Sequence, residues 1–276
     1  MNTSASNPFD FDVSSYPQLP RLRGVFVTGT DTEVGKTLIA GAIARHLHRA
    51  ERAVEVFKPV ASGCRRGRET LISEDAEFLA ACAESGRTLS QIVPVRYAAA
   101  LAPNVAGERA RKPVDLEAIF HAYADLDGAC DAVVVEGVGG LLCPISDDFW
   151  VIHLARMMQL PVVIVARAGL GTINHTLLTL HAARSAGLDV AGVIINGYRI
   201  DPAAQKALDA RQEPYTHGDA DLATYTNPEQ IAERGNVEVL AIVPDEPANN
   251  VAKACIGPDT QFSIDQVDWE TIALGG

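Results

Sequence analysis

Apolar residues along the chain fall into short, nearly continuous runs separated by segments with helical spacing. The runs GVFVT (24–28), AVEVFKP (53–59), DAVVVEG (131–137), PVVIVAR (161–167), VAGVIIN (190–196) and VEVLAIV (237–243) are rich in β-branched residues. Runs without strict alternation predict strands buried on both faces, as parallel strands are. Between them the spacing predicts helices near 36–50, 73–84, 114–126, 148–159, 173–186 and 227–234. This alternation predicts βαβ units in an α/β, doubly wound, mainly parallel sheet with helices on both faces. The interval between the second and third runs holds polar stretches at 63–73 and 85–113, which read as loops suited to substrate contacts. No internal repeat or linker divides the chain, so residues 21–276 are expected to form one domain. Residues 1–20, polar and with three prolines, are expected to be a flexible tail.

Composition narrows the function classes. With 23 Lys+Arg against 35 Asp+Glu, the net charge of -12 gives no attraction to nucleic acid or an anionic membrane. No stretch reaches the roughly 20 apolar residues that a membrane span needs. The first twenty residues lack the basic and apolar regions of a targeting peptide. The five cysteines, Cys64, Cys82, Cys130, Cys143 and Cys255, are widely spaced and contain no C-x-x-C pair. They read as free thiols in a reducing compartment, and the cytoplasm is the expected location.

The strongest chemical signal is GVFVTGTDTEVGKTLIAGAIARHL at 24–47. A strand runs into a loop ending Gly35-Lys36-Thr37, and a helix opens at once, so backbone N–H groups and the helix N-terminus can cradle phosphates. Lys36 would reach the β- and γ-phosphates and the Thr37 hydroxyl would ligate Mg²⁺. The regular phosphate-loop spacing wants glycine at position 30; Thr30 stands there and Gly29 comes one residue early. The fold class expected is therefore a P-loop NTPase-type doubly wound sheet. Two further strand ends point to the same edge of such a sheet, where ligands gather. One is Lys58-Pro59-Val60-Ala61-Ser62-Gly63 and the other is Glu136-Gly137-Val138-Gly139-Gly140. Glu136 is suited to Mg²⁺, and Asp75 at the start of a helix is the second carboxylate candidate. Asp75 also has a plain structural reading, as an acid complementing a helix N-terminus.

Together these blocks resemble the dethiobiotin synthetase family, ATP-dependent enzymes of the biotin pathway. The matching segments are VTGTDTEVGKT (27–37), KPVASG (58–63), SEDA (73–76), VEGVGG (135–140), LGTINH (170–175) and the strand end at Asn196. They run in order through residues 24–245, and the irregular glycine spacing is the family's own form of the loop. The resemblance implies that Glu33, Val34, Gly35, Lys36, Thr37 and Leu38 hold the ATP phosphates. It implies Thr37, Asp75 and Glu136 as the Mg²⁺ environment, with Gly137, Val138 and Gly139 beside the nucleotide. Lys58 resembles the active-site lysine and, with Lys36, is the catalytic pair; Ser62 and Thr32 face the substrate. Asn196, Gly197 and Pro244 correspond to the adenine site. Thr172, Ile173 and Asn174 open a helix similar to the one that receives the substrate carboxylate across a homodimer interface. The implied substrates are 7,8-diaminononanoate, CO2 and ATP, and the implied product is dethiobiotin, formed through a carbamic–phosphoric anhydride.

The chain departs from that family pattern at Asn104 in LAPNVAGE (101–108), where a histidine is common; no catalytic role is assigned to it. After residue 245 the resemblance is weak. His175 reads as a structural hydrogen-bonder, Cys143 as a small buried residue and the RRGR run at 65–68 as a solvated loop. Three alternatives are weighed. Partition and septum-positioning ATPases carry a lysine five positions before the loop lysine, where this chain has Asp31. An amidating synthetase would need an added glutaminase domain, for which the chain has no room. A nucleotide-binding module without catalysis is disfavoured by the joint presence of Lys36, Thr37, Lys58, Asp75 and Glu136.

Overall fold

Strand β1, Gly24–Gly29, is buried at all six positions because strands lie on both sides of it and apolar layers on both faces. The computed structural model describes residues 11–68, 70–202, 206 and 219–275. In chain order, α1 (Lys36–Arg49) follows β1, then β2 (Val54–Phe57), β3 (Val60–Ala61), β4 (Arg65–Arg66) and β5 (Leu71–Ile72). Next come α2 (Glu74–Ala83), α3 (Leu89–Ile92), β6 (Val95–Arg96), α4 (Pro103–Ala110), α5 (Leu116–Ala124), β7 (Ala132–Gly140) and α6 (Val151–Met158). The chain continues with β8 (Val162–Arg167), α7 (Thr172–Ser185), β9 (Val190–Tyr198), a helix at Asp219–Gly235 and β10 (Val239–Pro244). Two further helices, Pro258–Asp265 and Trp269–Leu274, lie near the C-terminus.

Six strands form one sheet in the order β10-β9-β8-β1-β7-β2, and every pair is parallel. The chain steps from β1 to β2 on one side, returns to β7, then crosses to β8 on the other. β1 thus stands where the winding reverses, and the crevice beyond its carboxyl end is where such sheets bind ligands. Side-chain alternation divides the core. Phe26, Val133, Val135 and Ile164 face one layer with Phe120 and Leu180, while Val25, Val27, Val134 and Val165 face the other with Ile43 and Leu79. Both faces are apolar, which is why the strands read as continuous runs in the sequence.

Two of the polar stretches are more structured than expected. The segment 63–73 carries the antiparallel β4–β5 pairing, and 85–113 contains α3, β6 and α4. These elements span two to eight residues, too short to show a period. The loose tail expected at 1–20 is also corrected from residue 11 onward. Phe11 is buried edge-on to Trp150 and His153, and Tyr16 meets Phe149 at 4.7 Å. Arg156 donates to the Phe11 carbonyl at 3.0 Å. Scattered aromatic residues in a polar segment suffice to pin it to an apolar face; residues 1–10 lie outside the described residues. Among the described residues, no helix is long and apolar enough to cross a membrane.

Candidate active site

The loop after β1 is built by its glycines. A Cβ at Gly29 would sit 2.7 Å from Val34 Cγ2 and 3.1 Å from Lys36 Cδ, so the glycine is needed at 29 and position 30 is free to be threonine. Thr30 still donates to the Val165 carbonyl at 3.0 Å, continuing the sheet by one residue. Gly35 caps α1 with φ +94, and a Cβ there would collide with the Asn196 amide. No side chain caps α1, so the first-turn N–H groups remain available to an anion.

Three strand ends bring charge beneath this loop. Lys58 follows β2, where its N–H donates to the Ile92 carbonyl at 2.8 Å. Its ammonium lies 2.7 Å from Asp75 Oδ2 and 2.8 Å from Glu136 Oε1, with a side chain only 5% exposed. The Thr37 hydroxyl donates to the same Glu136 oxygen at 2.8 Å. Asp75 stands in the first turn of α2, whose N-cap Ser73 accepts from the Ala76 N–H, as its structural reading expects, and its carboxylate also faces Lys58. Lys36 donates to the Asp31 carbonyl at 2.8 Å. Asp31 also pairs with Arg167 at the end of β8, and Arg167 reaches His175 Nδ1 at 3.0 Å.

Burial alone would lower the Lys58 ammonium, but Glu136 and Asp75 outweigh it and hold its pKa above the ordinary lysine value. Lys36 is different: burial lowers it, Lys58 adds to that, and Glu136 with Asp31 only partly compensates. Burial pushes the Glu136 carboxyl up, opposed by Lys58 and Thr37. Two ammonium groups and two carboxylates give a cluster with little net charge. Glu136 Oε2 is buried and, among the described residues, has no hydrogen-bond partner. A buried carboxylate oxygen without a donor is costly, and a hard cation would satisfy it.

A cavity of about 650 Å³ opens over this cluster. It is lined by Thr32, Glu33, Gly35, Lys36, Thr37, Leu38, Lys58, Ser62, Asp75 and Glu136 through Gly139, so most residues singled out from the sequence meet there. Val34 lies beneath the loop, its carbonyl accepting from Asn196 Nδ2 at 2.9 Å. Asn196, Gly197 and Pro244 stand at neighbouring strand ends outside the cavity wall, with Asn196 beside Val243 and Pro244 beside Tyr198. Thr172, Ile173 and Asn174 do not line it either. A second cavity of about 340 Å³ shares Thr32, Gly139 and Cys143 with the first and extends to His175, Leu178 and Ala182 on α7.

Some lining residues escaped the sequence reading. Ala100 through Pro103 reach the cavity because β3 and β6 pair and Gly63 donates to the Ala99 carbonyl. Their signals were only the polar stretch 85–113, read as suited to substrate contacts, and for residues 101–103 the LAPNVAGE resemblance. Val251 had none, coming from the weakly matching C-terminal part. Cys143, read as buried, is half-buried and lines both cavities. The RRGR run is solvated as read but is not all loop: Arg65 and Arg66 form the exposed strand β4, and Arg65 pairs with Glu77 at 2.9 Å. His175 contacts Arg167 rather than a carboxylate, which suits a structural role.

A family model described as an AAA domain matches residues 23–252. The chain is 38% identical over 223 residues to the ATP-dependent dethiobiotin synthetase BioD of Bacillus subtilis subsp. natto, covering 81% of this chain and 87% of that protein. It is 36% identical to the protein of the same name from Thermodesulfovibrio yellowstonii, covering 80% and 88%. Among solved structures, the MinD cell division protein of Aquifex aeolicus is similar with a TM-score of 0.52 at 13% identity, covering 88% of this chain and 94% of that one. That likeness shows the P-loop type of fold.

Proposed function

The chain belongs to the ATP-dependent dethiobiotin synthetases, ligases of biotin synthesis, and from that premise we propose how its residues divide the reaction. The observation that carries the reading is Lys58, buried and charged between Asp75 and Glu136 on the floor of the phosphate-loop cavity. Residues 21–276 act as one catalytic unit.

An amine of 7,8-diaminononanoate adds to CO2 and loses a proton, giving a carbamate. A carbamate oxygen attacks the γ-phosphorus of ATP, the bond to ADP breaks, and a carbamic–phosphoric anhydride results. The second amine attacks the carbonyl carbon, phosphate leaves, and loss of a proton completes the cyclic urea of dethiobiotin. Protein groups form no bond in this sequence, so positioning and charge neutralisation supply the rate.

The N–H groups of residues 33–38 hold the triphosphate, and Lys36 leaves the Asp31 carbonyl to follow its outer oxygens. Lys58 stays protonated and faces the carbamate oxygens. Asp75, whose side chain is 38% exposed, is free to turn from Lys58 as the anion enters. Thr32 and Ser62, both in the cavity lining, contact the diamine. Thr37, Asp75 and the unpartnered Glu136 Oε2 would hold Mg²⁺, which screens phosphate charge when bound. No cluster of three His, Cys, Asp or Glu side chains forms a metal cage among the described residues, so phosphate oxygens would complete the shell. Asn196, Gly197 and Pro244 seat the adenine.

The active form is a homodimer. Thr172, Ile173 and Asn174 at the opening of α7 do not line the cavity of their own chain, which supports their serving, through backbone N–H groups, the carboxylate of substrate in a partner. Leu170 at 86% exposure and Leu178 at 60% leave this region apolar and uncovered, as a subunit interface would be. All five cysteines are free, in keeping with a cytoplasmic enzyme. The test is purified protein with MgATP, bicarbonate and 7,8-diaminononanoate. Dethiobiotin should form with one ADP per product. Phosphate release indifferent to the diamine, without dethiobiotin, would refute the reading.

A further inference from the structure

The turn between β8 and α7, Ala168-Gly169-Leu170-Gly171, carries its backbone polar groups close to the α7 N-terminus. An anion there needs outward N–H groups and carbonyls turned away, because a carbonyl dipole facing a carboxylate repels it. Gly171 has φ +90 and offers no side-chain cap, which leaves the Ile173 and Asn174 N–H groups at the opening of α7 for a ligand. Gly169 keeps its carbonyl on the Thr172 N–H at 3.3 Å. One further group holds this turn. Asn227, in the helix Asp219–Gly235, is 3% exposed, and its Nδ2 lies 2.7 Å from the Ala168 carbonyl and 3.3 Å from that of Gly169. Pro228 follows it inside the same helix.

We infer that Asn227 is a positioning residue for the substrate carboxylate, drawing the Ala168 and Gly169 carbonyls inward so that the opening of α7 presents only donors. The inference rests on the reading of that opening as the carboxylate site. Asn227 itself touches no substrate. A primary amide suits the place because one NH₂ carries two donors and can serve two carbonyls from a single buried point. An aspartate there would offer only acceptors to two carbonyls, and an alanine would remove the side-chain donor from the buried Ala168 carbonyl and leave Gly169's to the Thr172 N–H alone.

The experiment compares two diamines in steady-state assays: 7,8-diaminononanoate and its decarboxylated analogue, 7,8-diaminononane. Wild-type enzyme should prefer the acid. In Asn227→Ala the KM for the acid should rise about tenfold, with kcat and the KM for ATP changed by less than about twofold. The analogue should be used equally well by both proteins, so the preference for the acid falls about tenfold. Asn227→Ser, which keeps one donor, should fall between them, and it decides the matter should the alanine variant not fold. Equal losses on both diamines would mark a merely structural role and overturn the inference, as would no loss on either. Wild-type protein that forms no dethiobiotin would instead overturn the proposed function. Wild-type turnover without preference for the acid would overturn the carboxylate site and this inference with it.

Discussion

Lys58 shows how much a single residue means only in context. A lysine after a strand is normally solvated, and here it is one of the few buried charges among the described residues, held by Asp75 and Glu136. Lys58→Ala should lower kcat by about a thousandfold, the scale of removing a group that stabilises developing charge. It should also leave Glu136 and Asp75 facing each other without a cation, so the urea midpoint should drop while a single cooperative transition persists. Turnover near the wild-type rate would remove Lys58 from the mechanism. Lys36 makes a pH prediction. Its pKa is depressed from 10.5, chiefly by burial, so its charge is lost at a lower pH than that of a free lysine. As pH rises through that depressed value, kcat/KM for ATP should fall, giving an alkaline limb below 10.5. Lys36→Arg should carry that limb upward, since guanidinium does not titrate there. A limb in the same place in both proteins would assign it elsewhere. The sequence made Lys36 and Thr37 legible through type and spacing, and the role of Lys58 only through the family resemblance of KPVASG. It could not show that Glu136 leaves one buried oxygen unpartnered among the described residues, because that depends on three strand ends meeting.

At the scale of elements, the six sheet strands lie close to their apolar runs because continuous burial on two faces writes itself into composition. The third run is the informative difference: β7 continues to Gly140, where it pairs with Gly29, although glycines end its apolar pattern. The short elements β3 to β6, α3 and α4, and the C-terminal helices around buried Trp269, carry little period and were not legible. The opening of α1 is the element with most to test. Gly35 needs a left-handed φ and has no room for a Cβ against Asn196. Gly35→Ala should cost about 1–3 kcal/mol of stability, the range for strained backbone. It should also weaken ATP binding by more than about tenfold by displacing the loop. Urea unfolding and titration calorimetry measure the two effects, and unchanged ATP affinity would show that the loop does not depend on this conformation.

For the whole molecule, a net charge of -12 surrounds a site meant for anions. The near-neutral cluster of Lys36, Lys58, Asp75 and Glu136 gives ATP no broad basic patch, so affinity must come from N–H groups and a cation. Removing Mg²⁺ with EDTA should therefore weaken ATP binding as well as stop turnover, and calorimetry with and without the metal would detect undiminished affinity if this is mistaken. The N-terminal residues add stability at a distance from the chemistry. Phe11→Ala should cost about 2 kcal/mol by lost burial against Trp150 and His153, with kcat unchanged; an unaltered urea midpoint would mean that this packing contributes nothing. The most direct test of the central claim follows one oxygen atom. If a carbamate oxygen attacks the γ-phosphorus in this cavity, bicarbonate labelled with heavy oxygen must pass one labelled atom to the released phosphate. Mass spectrometry of phosphate from a brief reaction with MgATP and 7,8-diaminononanoate should find one heavy oxygen per dethiobiotin formed. Dethiobiotin accompanied by unlabelled phosphate would contradict the account.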